Sequence, residues 1–435
     1  MPGHDLHRRR LLATAAAALG GVPLLGSLQA CGGGTDTTKA QLRFVNATTG
    51  YPSLDLRVDD STRFSAVAYG GSASYVEVDP DDTTSEVRRN GSTTTLLSTT
   101  PALTKNRHFT LLAYGAEGAL KTVLLDENTS NPDSGKCKLR VLNAAPDAGT
   151  LDIYVTGTDE ALSTAVATVS SAAVGTVGSY QTISSGTRRL RITGAGSKTD
   201  LRLDLPSFDF GSAQSATLVL TPASGGVLVN ALWLVERDGL RANANTQARV
   251  RVAAAVADSA TVAVTLAGST LLGGSGSPVV GLYSLVTAAS LTPTVVVNGS
   301  AVTAPAQTLA AGGDYTLLVY GAAATPQVAW LVDDNGLPSD STQARLRLVH
   351  GLSDQAAALA LSVDFLPVAS DVALGAASAY AEVAVSSSST FSVTASGVAN
   401  AVYSATEVVL VAGSTYTLFI TGSTASTRGV LRKDR

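Results

Sequence analysis

The strongest constraint on this 435-residue chain is a pattern that it repeats four times. Each copy opens on a short alternating strand: Gln41-Leu42-Arg43-Phe44-Val45-Asn46, Lys138-Leu139-Arg140-Val141-Leu142-Asn143, Arg249-Val250-Arg251-Val252-Ala253-Ala254 and Arg345-Leu346-Arg347-Leu348-Val349-His350. The central arginines lie 97, 111 and 96 residues apart. A strand led by Tyr75, Tyr180, Tyr283 or Tyr380 follows, 32, 40, 32 and 33 residues after the arginine. A late apolar strand completes the copy, as in Phe109-Thr110-Leu111-Leu112, Tyr315-Thr316-Leu317-Leu318 and Tyr416-Thr417-Leu418-Phe419, with a worn version at Ala216-Thr217-Leu218-Val219. Three features in one order at a near-constant period define a tandem array of small units, since a chain this long exceeds one core.

The period-2 alternation within these segments is the signature of strands, and the composition agrees. Hydrophobic residues make up 45% of the chain but aromatics only 5% and charged residues 15%, with 41 Gly. That is a balance for many short strands and turns. Four units of about seven strands each are predicted, at 40–129, 136–237, 246–334 and 343–435. Strands with one apolar face and no helices to cover them pack sheet on sheet, so the expected class is all-β, with immunoglobulin-like sandwiches in tandem. Polar punctuators near 127–135, 237–245 and 334–341 separate the units and predict modules able to fold alone. The second unit carries extra residues at 156–177, readable as a short helix from Glu160 or as added edge strands.

The N-terminus reads as an address. Arg8-Arg9-Arg10 precedes a short, weakly apolar, Gly- and Pro-broken stretch, so residues 1–30 are expected to be a secretory signal peptide. Arg8 and Arg9 before Leu11-Leu12 also resemble a twin-arginine export signal; Sec and twin-arginine export stay open. Leu28-Gln29-Ala30-Cys31 resembles the bacterial lipobox, in which the Cys receives a diacylglycerol thioether and becomes the acylated N-terminus. Residues 31–39 then form a lipidated Cys31 and a flexible, Gly-rich tether. Without residues 1–30 the chain loses three arginines and one aspartate, leaving 27 basic and 33 acidic side chains and a net charge of −6. No basic stripe exists, so nucleic acid is not an expected partner.

The turn Asn143-Ala144-Ala145-Pro146-Asp147-Ala148, the strand Leu151-Asp152-Ile153-Tyr154-Val155, the tyrosine-led strand and the Gly-x-x-Tyr-Thr-Leu strand together resemble domain-of-unknown-function family 4397 of bacterial envelope proteins. The second and fourth units match best (His350-Gly351-Leu352-Ser353-Asp354 in the fourth); the third, lacking Pro and Asn, departs most. The resemblance covers nearly all of 40–433. It implies a β-sandwich and a cell-surface setting, and brings no activity with it.

Candidate chemistry is sparse. Beyond the leader, the histidines are His108 and His350. His350 occupies the place of Asn46, Asn143 and Ala254 at the inward-facing end of the opening strand, so it is expected to hydrogen-bond the following turn. Cys137 is expected to be a small, half-buried residue at a module edge. Asp79-Pro80-Asp81-Asp82 lacks the spacing of a calcium loop and reads as a solvated hairpin tip. No Gly-x-Ser-x-Gly elbow, His-Glu-x-x-His pair or phosphate-binding loop occurs. We therefore expect no catalytic, metal or cofactor site. The expected function is that of a non-enzymatic, lipid-anchored envelope protein, a spacer or scaffold sorted to the outer membrane. It would contact the membrane through its anchor and an envelope protein or glycan as partner. The rival reading is an adhesion or glycan-binding protein, for which Trp233 and Trp330, both in apolar final strands, offer a thin aromatic platform.

Overall fold

Each opening strand lies parallel to the late apolar strand of its own repeat. Ala40–Asn46 pairs with His108–Tyr114, Lys136–Asn143 with Gln214–Pro222, Gln247–Val256 with Asp314–Gly321, and Gln343–Leu352 with Thr415–Ser423. The computed structural model describes residues 38–435 apart from 82, 226 and 258. Among these the chain is all-β, with one short 3-10 turn at Pro146–Ala148. The leader and lipobox residues Arg8, Arg9, Leu28, Ala30 and Cys31 lie outside the described residues.

In each repeat the parallel pair is flanked by the tyrosine-led strand on the opening strand and by an antiparallel final strand on the other side. In the first repeat these are Val76–Val78 and Lys121–Asp126. A second, wholly antiparallel sheet of four strands packs against this one; in the first repeat it runs Ser61–Ala68, Ser53–Val58, Ser85–Arg89, Thr95–Thr99. Alternate residues of the two sheets close the core: Leu42, Phe44, Phe109 and Leu111 meet Leu54, Leu56, Phe64 and Val87. The other repeats use the same parity, with the largest aromatic cluster in the second, where Trp233 meets Phe208 and Phe210 edge-on. The 156–177 stretch holds no helix; it supplies the edge strand Val169–Ala172 beside Leu151–Thr156.

The repeats, expected as separate modules, share apolar cores in pairs. The central parallel strands of each first sheet are buried on both faces, and the late strands accordingly read as near-continuous apolar runs. Val45, Leu112 and Leu125 of the first repeat join Leu142, Val219, Leu232 and Leu234 of the second in one core. Ala253, Leu318 and Leu331 of the third join Val349 and Phe419 of the fourth. The repeats therefore pair, one with two and three with four. Close backbone approaches follow the same rule: a side chain at Gly175 would meet the Tyr114 hydroxyl, and one at Gly375 would meet Tyr320. Cys137 is not at an edge but wholly buried in the second core, and burial pushes its thiol up to about 11, a thiol unsuited to reaction at neutral pH.

A fragment spanning residues 38–245 should therefore melt in one cooperative transition. Residues 136–237 alone would expose Leu142, Val219, Leu232 and Leu234, and should associate or melt at lower temperature. Equal melting temperatures, with the shorter fragment monomeric, would contradict the pairing.

Candidate functional site at the repeat junctions

The arginine that marks each repeat sits in direct register with a threonine of the parallel neighbour: Arg43 with Thr110, Arg140 with Thr217, Arg251 with Thr316, Arg347 with Thr417. Each Nε donates to that hydroxyl, at 2.7, 2.8, 2.8 and 3.1 Å. Period 2 puts these arginines on the face turned away from their own core, and so into the junction between paired repeats. All four are buried. Each guanidinium also lies over the ring of its tyrosine-led strand, with 5.0, 4.7, 4.5 and 4.7 Å to the centroids of Tyr75, Tyr180, Tyr283 and Tyr380. The repeat markers are thus the parts of one junction.

In the second pair the junction is reciprocal. Arg251 of the third repeat donates to both carboxylate oxygens of Asp434 in the fourth, and Arg347 of the fourth donates to Asp333 of the third. Asp333 also accepts from Thr316 and from the Tyr283 hydroxyl, both at 2.6 Å, and Asp434 accepts from Thr417 at 2.6 Å. Burial by itself would raise the Asp333 carboxyl, but Arg347, Arg251 and these two hydroxyl donors outweigh it and hold it below the usual carboxylate range. Arg249, two residues before Arg251, makes a bidentate pair with Asp314 at 2.7 and 2.5 Å.

In the first pair the exchange runs partly through backbone. Arg43 bonds Glu127 of its own repeat at 2.6 Å and reaches the carbonyls of Val235 (2.8 Å) and Asp238 in the second repeat. Arg140 returns the contact to the Asp126 carbonyl at 3.0 Å. Glu127 accepts from the Tyr75 hydroxyl, and its carboxylate and carbonyl take the Arg237 backbone N–H and Nε of the second repeat at 3.2 and 3.0 Å. Tyr180 donates to Glu236.

The sequence points to the four repeat-marking arginines with their tyrosines and threonines, but not to Arg237 or to the junction acids. Glu127, Glu236, Asp333 and Asp434 sit 17, 19, 17 and 17 residues after the threonines, each just past or closing the final strand. The signal is present: an acid recurs there in all four repeats. Glu127 reads as part of a polar punctuator, whereas it is 1% exposed.

His350 takes the expected role. The Leu352 N–H donates to Nδ1 at 3.3 Å, so Nε2 carries the proton and donates to the Ala357 carbonyl at 3.2 Å. Asn46 and Asn143 make the same local ties, to Tyr51 and Val67 and to Gly149 and Ala172. His108 lies edge-on to Tyr75, and Trp330 donates to the Pro305 carbonyl at 3.0 Å. Among the described residues no group of three or more His, Cys, Asp or Glu is placed to hold a metal ion. Asp79 of the acidic hairpin tip pairs with Lys39 at 2.5 Å.

The model of the family described as Domain of unknown function (DUF4397) matches residues 40–154 and 248–362, just over half of the chain. The chain belongs to the DUF4397 family. Each matched stretch runs from one opening strand into the second strand of the next repeat. Each therefore contains both arginines of a pair together with Glu127 or Asp333. The two DUF4397 matches begin 208 residues apart, so the unit that recurs includes the junction. A crystal structure of a candidate cell adhesion protein from Bacteroides uniformis is similar over 46% of this chain and 98% of that one, at 14% identity and a TM-score of 0.21. The Bacillus anthracis TIE protein is similar over 85% of this chain and 66% of that one, at 12% identity and a TM-score of 0.15. No curated protein matches the sequence.

Arg251→Met should leave Asp434 without its cation and Asp333 with Arg347 alone. It should cost about 3–5 kcal/mol in denaturant unfolding, the usual penalty for removing half of a buried pair. For His350, replacement by Asn should be tolerated, while His350→Leu should cost about 1–3 kcal/mol by leaving the turn unpaired. Burial holds the His350 imidazole below its ordinary value of 6.5. Its contribution is therefore full above that value and lost as pH falls toward the lower folded value. Wild type should lose more melting temperature than His350→Asn between pH 7 and pH 5.

Proposed function

We propose that this chain is a non-enzymatic, lipid-anchored cell-envelope protein that serves as a spacer or interaction scaffold. The observation that carries this reading is the use made of its strongest polar groups. Buried guanidiniums, carboxylates and tyrosine hydroxyls are engaged with one another across the repeat junctions, where they fix one sandwich against the next. Such an arrangement suits a protein that must hold its repeats in set register. The lipobox at Leu28, Ala30 and Cys31, the export arginines Arg8 and Arg9 and the Gly-rich tether support attachment of that array to a membrane; by resemblance to lipoprotein sorting signals, Gly32 in place of an Asp after the cysteine favours the outer membrane. An adhesion or glycan-binding role is the second reading, favoured by an open cleft of about 730 Å³ where the second, third and fourth repeats meet.

Metabolic labelling with a fatty acid in the native bacterium should tag the protein, and Cys31→Ser should abolish both label and membrane retention. Persistent labelling of that variant would sink the anchor.

A further inference from the structure

The cleft at the meeting of three repeats is built from unlike parts. The second repeat contributes Lys198, Asp200 and Arg202, the third Arg249 and Leu282, and the fourth Lys433. Its acids are already committed: Asp200 to Arg202 at 2.6 Å, and Asp434 to Arg251. Its lysines are not matched by carboxylates. Lys198 donates to the Ser163 carbonyl at 2.8 Å, and Lys433 has neither an ion pair nor a side-chain hydrogen bond among the described residues. Deeper in, the Arg202 guanidinium uses one terminal nitrogen on Asp200 and the other on the Val227 carbonyl at 3.2 Å, while its Nε is buried with no partner. The same cleft is lined by Leu282, 80% exposed, one of the most exposed large apolar side chains described.

The first pair of repeats supplies a control. Its groove at the corresponding tyrosine-led strand is lined by Arg43, Tyr75 and the 237–240 turn, at about 410 Å³, and no lysine lines it. There the Asp238 carbonyl, from the turn itself, takes the Arg43 guanidinium. The larger, lysine-rimmed cleft is thus particular to the second pair and its contact with the second repeat. Its volume is that of a small-molecule site, and it couples unneutralised positive charge to an apolar wall.

We propose that this cleft binds a small amphipathic anion, a carboxylate or phosphate carried on an apolar body. The anionic group would lie between Lys198 and Lys433, within reach of the guanidinium wall, and the apolar body against Leu282. This goes beyond the scaffold reading and stands without it.

Titration calorimetry of the purified full chain with octanoate, octyl phosphate and octanol tests the assignment. One or both anions should bind at least about tenfold more tightly than octanol, and which of them does so separates carboxylate from phosphate recognition. Lys433→Glu should weaken anion binding at least tenfold and leave octanol unchanged, whereas Leu282→Ser should weaken every ligand that binds. Both side chains are exposed, so the variants should melt as wild type does. Absence of anion binding, equal affinity for octanol, or indifference to Lys433→Glu would overturn the proposal.

Discussion

A guanidinium removed from water is costly unless carboxylates and carbonyls surround it, and this fold meets that demand only by bringing two repeats together. Arg251 and Arg347 each take their hydrogen-bonded carboxylate from the other repeat, although Arg251 also lies 3.7 Å from Asp333 of its own, so neither repeat alone completes its arginine. Burying such pairs adds little net stability, because desolvation offsets much of the attraction. What they supply is selectivity. An apolar face of Ala, Val and Leu would accept several partners and registers, and a slipped register would leave a buried charge unpaired. The junctions therefore specify which sheets meet and how, while the shared apolar clusters provide the driving force for meeting.

The two pairs solve the same problem differently. In the second, carboxylates are exchanged across the junction. In the first, Glu127 stays with Arg43 and the crossing contacts run to the carbonyls of Val235, Asp238 and Asp126. Burial raises the Glu236 carboxyl despite the Tyr180 hydrogen bond and the Arg140 charge, whereas Asp333, with two arginines nearby, is lowered. Contacts between the pairs are fewer and polar, such as Arg435 of the fourth repeat with the Pro146 carbonyl (3.1 Å) and Asp147 (3.3 Å), or the Ser224 hydroxyl with the Ala311 carbonyl.

Much of this was legible in the sequence, because period 2 and turn chemistry act locally. The opening strands, the sheet class and the turn role of His350 follow from residues near each other in the chain. The pairing was not legible. Arg43 alternates with Leu42 and Phe44 as a solvent-facing residue would, and nothing local distinguishes a face bound for water from a face bound for another sheet. The buried Thr110 and Thr217 on that face were the available hint, since a small hydroxyl at one position of every late strand has no purpose in solvent. Cys137 failed for a related reason. Flanked by Lys136 and Lys138 it reads as an edge, yet its own parity is that of Leu139 and Val141 and carries it inward.

Native-state hydrogen exchange on an Asp333→Asn variant tests the central claim most directly. Asp333 belongs to the third repeat but holds Arg347 of the fourth. Amides of the core strands Asp314–Gly321 and Thr415–Ser423 should therefore lose protection together, with His108–Tyr114 and Gln214–Pro222 unchanged. Loss confined to Asp314–Gly321 would show that the repeats are separate folding units and that the reciprocal junction does not bind them.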